Sequence, residues 1–185
     1  MELLKEKINR ALDKVKLNEQ KIIANNISER AITHKLAEYL QIEFPDYNVD
    51  CEYNRNSDFG PNKPKYLDIY EYNQKRIKNL KDVSMFKDQV STYPDIIVHK
   101  RFSNEKNYLI IEVKKDNNVS DWDIDTYKLE GFTSSTDTNG YGFKFGLHIT
   151  FFVEEKWRQP NLEWYKNGEI TNSTEVDNCS CTEKI

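Results

Sequence analysis

Three side chains in one short stretch have the types and the spacing for phosphodiester chemistry. Residues 93–115, YPDIIVHKRFSNEKNYLIIEVKK, contain two β-rich apolar runs, Ile96–Val98 and Tyr108–Val113, around a polar turn, Phe102–Asn107, and so predict a hairpin. Side chains alternate along a strand, so Glu112 and Lys114 leave one face while Ile111 and Val113 leave the other. Asp95 opens the neighbouring strand directly after Pro94, where a proline interrupts no ladder. In the simplest register Asp95 lies near Glu112 and Lys114. Two carboxylates suit Mg²⁺, which keeps several waters and binds through one or two carboxylates plus substrate phosphates. The ion would acidify a bound water and offset charge building on a phosphate. Lys114 would orient or deprotonate that water and stabilise the transition state. The plain alternative is an ion pair of Glu112 with Lys114 at a strand end and a turn role for Asp95.

Pro94-Asp95, then Glu112-Val113-Lys114 closing an apolar strand, resembles the signature of the PD-(D/E)xK nuclease superfamily, the restriction-endonuclease-like fold. The resemblance implies an α/β domain with an αβββαβ core, its central mixed sheet flanked by helices. It implies Mg²⁺, with Mn²⁺ as a substitute, on Asp95 and Glu112, and Lys114 as the residue that positions water. It also implies an acidic residue on the first core helix facing the site, which Glu29 matches by face. The implied partner is nucleic acid, DNA before RNA, and a homodimer is an expected assembly, as for many relatives of this fold. A non-catalytic module on the same fold, binding nucleic acid or protein with a vestigial site, is the rival reading.

The elements that must position these groups follow in order. Leu3, Leu4, Ile8, Ala11, Leu12, Val15 and Ile22 recur at helical spacing, so residues 1–27 read as an amphipathic helix packed on the core or on a second subunit. Ser28 is a suitable N-cap for a helix running to about Gln41, whose stripe Ile32, Leu36 and Leu40 includes Glu29. Favourable charge at a helix N-terminus is the simpler account of Glu29. Glu38, Arg30, His34 and Lys35 fall on the solvated side. Residues 47–53 alternate as the first core strand, with Val49, Cys51 and Tyr53 on one face and Asp50 and Glu52 on the other; Glu52 is expected to face water. Residues 54–92 read as an insertion into the core, which spans 28–155. Lys75, Arg76 and Lys78, interleaved with tyrosines, make the insertion the most basic surface and a candidate nucleic-acid grip, although a solvated helix face explains the charges nearly as well.

After the hairpin, Ser120 and Asp123 have capping-box spacing, opening a helix that buries Trp122, Leu129 and Phe132. Lys128 on this helix matches a basic position of the family and is a second candidate for nucleic-acid contact, with an i,i+3 pair to Asp125 as the cheaper role. Residues 134–142 read as a flexible loop beside the site, placed to act as a lid, and KFGLHITFFVEE as the last core strand. Residues 156–185 form a C-terminal extension with packed tryptophans and a disordered final dozen. His99 shares a strand face with Asp95 and is the histidine expected nearest substrate.

Composition bounds the class. A chain of 185 residues, 37% hydrophobic and 31% charged, suits one domain with a substantial core. The net charge of −4 supplies no global attraction to nucleic acid, so phosphate binding needs a local patch, a metal, or a surface completed by oligomerisation. No apolar run approaches the roughly 20 residues of a membrane span, and the amino terminus lacks a signal-peptide core, so a cytoplasmic protein is expected. Three scattered cysteines fit no disulfide framework. Abundant Asn, Ile and Lys suggest an AT-rich bacterial or phage genome, which leaves restriction, repair, recombination and phage defence all open.

Overall fold

The computed structural model describes residues 1–53, 66–68, 89–91, 93–103, 106–118, 122–134, 141–153 and 156–171. Among these, three helices, α1 (Glu2–Ala24), α2 (Glu29–Glu43) and α3 (Trp122–Thr133), accompany eight strands. The strands are β1 (Asn48–Cys51), β2 (Tyr66–Asp68), β3 (Gln89–Ser91), β4 (Ile96–His99), β5 (Leu109–Lys115), β6 (Phe145–Phe151), β7 (Asn161–Lys166) and β8 (Glu169–Thr171). Six strands form one mixed sheet in the order β1-β4-β5-β6-β7-β8, parallel only between β5 and β6. The β5–α3–β6 crossover explains that pair, because parallel neighbours need a long connection. The antiparallel pair β2/β3 is a separate two-stranded sheet inside the 54–92 insertion. The basic residues Lys75, Arg76 and Lys78, the capping residue Ser120, most of the 134–142 loop and the last fourteen residues lie outside the described residues.

The pleat sorts side chains into two layers. Leu109, Ile111 and Val113 of β5 join Ile96, Val98, Leu147, Ile149 and Trp164 under α1 and α2, in one apolar cluster with Leu4, Ile8, Leu12, Ile32, Leu36 and Leu40. Helix α1 is thus packed on the core. Leu3 departs from the predicted stripe and is exposed, and Ile23 rather than Ile22 is the buried residue of the last turns. On the other face Ile97, Ile110 and Tyr165 meet Leu129 and Phe132 of α3. Gly146 allows this approach: a Cβ there would stand 3.0 Å from Tyr165 Cβ and 3.1 Å from Thr133 Cγ2. The two β5 residues that share this face beyond Ile110 are Glu112 and Lys114.

Two local departures from the sequence expectation have clear causes. Glu52 adopts a left-handed φ of 49°, which ends the alternation of β1 and turns Tyr53 to the α3 side, away from Val49 and against His99. The extension after residue 155 adds a hairpin to the sheet, because Asn167 and Gly168, at φ 55° and 82°, make the tight turn that right-twisted strands prefer. Among the described residues no helix is long and apolar enough to cross a membrane.

Candidate active site

The hairpin closes in the register that aligns its carboxylates. Ile96 pairs with Ile111, which sets Asp95 and Glu112 at the next position along β4 and β5. The Val113 amide donates to Asp95 Oδ2 at 2.8 Å and fixes that carboxylate across the strand pair. Glu112 is only 1% exposed, at the end of an apolar run.

Helix α3 supplies the counter-charge. One helical turn brings Asp125 and Lys128 to the same side, and the Lys128 ammonium donates to Asp125 Oδ1 at 2.9 Å and to Glu112 Oε2 at 3.2 Å. Asp125, 2% exposed, presents Oδ2 to Lys114 Nζ at 2.9 Å. Lys114 in turn stands 3.7 Å from Glu29 Oε1. Glu29 reaches the site from the first turn of α2, where its Oε2 accepts from the Lys115 amide and from Asn118 Nδ2, both at 3.2 Å. Ser28 occupies the N-cap position as expected, its carbonyl accepting from Ala31 and Ile32, without a side-chain cap bond. Glu29 therefore ties α2 to the end of β5 as well as sitting at a helix N-terminus.

The four residues singled out for catalysis, Glu29, Asp95, Glu112 and Lys114, belong to one cluster, joined by Asp125 and Lys128. Lys128 forms the expected i,i+3 pair and also reaches Glu112, so its ammonium is committed to two carboxylates. Asp125 is the residue that the sequence undervalued. Its signal was the Asp-x-x-Lys spacing on the helix after the hairpin, which says that the two side chains share a face but not that the face turns inward.

The electrostatics are unequal. Burial pushes Glu112 well above the usual carboxylate range; Lys128 opposes the shift, and Asp95 and Asp125 add to it. Burial also raises Asp95, against the Val113 amide bond and the two lysines. Burial works against the charge on Lys114 and Lys128, yet the surrounding carboxylates outweigh it and both stay firmly protonated. Among the described residues Glu112 Oε1 remains buried without a hydrogen-bond partner. An uncompensated carboxylate oxygen of this kind is expensive unless something else takes it.

That oxygen, with Asp95 beside it, fits a hard cation. Mg²⁺ can bind through one or two carboxylates and complete its shell with water and phosphate. Among the described residues no group of three or more His, Cys, Asp or Glu side chains could hold a metal by itself, so an ion here would depend on water or substrate for its remaining ligands. A cleft of about 400 Å³, lined by Glu29, Arg30, Thr33, Glu52, Tyr93 and Asp95, meets the cluster at Glu29 and Asp95, with Glu112 buried behind Asp95. Glu52 is exposed at its rim, 3.1 Å from Arg30.

His99 lies elsewhere than expected. It is buried at the β1–β4 pair, with Nε2 2.9 Å from Asp50 Oδ2 and its ring 4.7 Å from that of Tyr53. Arg101 grips the same aspartate through Nε at 2.8 Å and through a second bond to Oδ1. The strand pairing explains this, because Asn48 faces His99 and Asp50 faces Ile97, which puts Asp50 diagonally across from the histidine. No family model, curated protein or solved structure matches the chain.

Proposed function

We propose that this chain is a metal-dependent nuclease that hydrolyses phosphodiester bonds in DNA or RNA on a restriction-endonuclease-like core. The order α2, β1, β4, β5, α3, β6 supports the fold part of this reading, since it is the αβββαβ succession that the resemblance implies. The observation that carries the activity is the buried Glu112 Oε1, unpartnered among the described residues, on the strand position facing Asp95, which itself lines the cleft. Asp95 and Glu112 would hold Mg²⁺ or Mn²⁺, and the bound ion would supply a water acidic enough to attack at neutral pH and a positive charge for the phosphate. Lys114 would hold a proton and a positive charge toward the reacting phosphate, kept charged by Asp125 and Glu29. Glu29 orients Lys114, and Lys128 limits the charge that Asp95 and Glu112 must bear before substrate arrives.

One observation favours a second reading, a binding module with a vestigial site. Both lysines are already paired with carboxylates, so much of the cluster's charge is balanced internally. The two readings part over divalent metal and turnover. Incubation of mixed DNA and RNA substrates with Mg²⁺ or Mn²⁺ should yield cleavage by the wild type and losses of about 100-fold or more in Glu112→Ala and Lys114→Ala. Absence of cleavage together with absence of metal binding at millimolar concentration would leave the binding module.

A further inference from the structure

The polar face of the sheet continues past the proposed catalytic cluster. Lys114, Thr150 and Asn161 lie side by side on β5, β6 and β7, so Thr150 is one strand spacing, about 4.8 Å, from Lys114 along the backbone. There a second cleft of about 450 Å³ opens, lined among others by Asp116, Thr150, Phe152, Arg158 and Gln159. Thr150 lines this cleft but is only 4% exposed, and its buried Oγ1 has no hydrogen-bond partner among the described residues. The Arg158 guanidinium lies 3.7 Å from the centre of the Phe152 ring, a cation stacked on an aromatic face.

We infer that this cleft is a subsite for one unpaired nucleobase flanking the scissile phosphate, and hence that the enzyme acts on nucleic acid with a single-stranded segment beside the cut. The inference rests on the nuclease reading of the neighbouring cluster and adds a substrate class to it. A base suits the cleft better than a phosphate does. Asp116 offsets the charge of Arg158, leaving a near-neutral hollow with donors and acceptors at its walls. Its carboxylate is already held by the Val153 amide at 3.1 Å and would repel a phosphate. The stacked guanidinium offers a flat surface that takes any base, and a base settling into the cleft would offer the buried Thr150 hydroxyl a partner at its edge. A base inside a duplex is stacked on both faces and has none free for the guanidinium, so the base that enters is an unpaired one, and the cleft of about 450 Å³ has room for it.

The test is equilibrium binding, followed by fluorescence anisotropy, of a blunt DNA duplex and of the same duplex with a single-stranded tail. The full chain carries Glu112→Gln so that no substrate is consumed, with cleavage by the wild type assayed in parallel. The tailed duplex should bind about tenfold more tightly than the blunt one, as one stacked base would give. Adding Arg158→Ala should abolish that preference with unchanged Tm, and Thr150→Val should reduce it about threefold without lowering Tm, since it removes an unpartnered buried hydroxyl. Arg158→Lys should restore the salt dependence of binding but not the preference, because ammonium lacks the planar surface. A tail preference that survives Arg158→Ala overturns the subsite, and if the wild type still cuts, the nuclease reading stands without it. Equal weakening of tailed and blunt substrates makes Arg158 a general phosphate contact and also overturns it. Failure of the wild type to cut or bind either substrate defeats the nuclease reading and the subsite together.

Discussion

Two clusters of buried charge lie on the same sheet and are built to different standards. At the β1–β4 edge, Asp50 receives His99 and a two-point grip from Arg101, and the Arg101 bond holds its carboxyl below the usual range despite burial. At the centre, Glu112 has one lysine, an unpartnered oxygen and a carboxyl pushed well above that range. A partly buried aspartate is fully satisfied at one point while a deeper glutamate is left unsatisfied at another, which is the arrangement the proposed metal site needs. On the proposed nuclease reading the Asp50 cluster serves the fold, and the Glu112 cluster gives up stability for function.

The sharpest way to break this contrast is Glu112→Gln. Metal-dependent cleavage should fall by about 10²- to 10³-fold, while stability at neutral pH should rise by about 1 kcal/mol as a carboxyl whose burial opposes ionisation is replaced by a neutral amide. A folded-state carboxyl above its unfolded value binds protons that the unfolded chain does not, so wild-type stability falls as pH rises from the ordinary 4.5 toward the raised value. The gain from Glu112→Gln should therefore vanish in denaturant melts run below that ordinary value. A variant that loses stability at neutral pH would mean that Glu112 is structural.

Asp50→Ala should do the reverse. About 3 kcal/mol of stability should be lost, because His99 and Arg101 are left without their shared acceptor, and the cleavage rate of the folded fraction should not change. Asp50 has a lowered folded value, so its contribution is present above the ordinary 3.8 and is lost as pH falls through the folded one. Chemical denaturation across the acid range should thus show a flatter acid limb in the variant.

Lys128→Met sharpens the comparison within the central cluster. Removing the ammonium should cost about 2 kcal/mol in EDTA, since Glu112 and Asp125 lose their shared counter-charge, and Mg²⁺ should return much of it. For scale, a ligand at ten times its Kd adds about 1.4 kcal/mol. Thermal melts with and without Mg²⁺ decide the matter, and equal loss under both conditions would count against a cation at Glu112. The smallest effect belongs to Arg101→Lys. Arg101 is half exposed, so forfeiting the two-point grip should cost less than about 1 kcal/mol by urea titration.

The candidate site was legible in proportion to how local its geometry is. Alternation along β5 put Glu112 and Lys114 on one face, and helical periodicity put Glu29 on the buried stripe of α2, because period and face are properties of a single element. The pairing of Asp125 with Lys128 was legible but its inward aim was not, because only the docking angle of α3 decides whether an i,i+3 pair faces water or a sheet. That docking depends on Gly146 and Leu129, far apart in the chain. The β7–β8 hairpin was the avoidable omission, since Asn167-Gly168 between strand-like runs is a strong turn signal. His99 shared a face with Asp95 by alternation alone, but its partner comes from β1, and no single-strand pattern reports a cross-strand neighbour.

By itself the sequence determined the helices, the apolar core strands, the hairpin and the alternation that separates apolar from charged side chains, because each follows from backbone period and local propensity. The tertiary structure decided which charges meet. Lys128 between Glu112 and Asp125, Lys114 between Asp125 and Glu29, and the unpaired oxygen of Glu112 arise from the pairing of β5 with β6 and the packing of α3 across them. Contacts between residues distant in the chain depend on how whole elements pack, and that packing sets both the burial and the charge balance of the site.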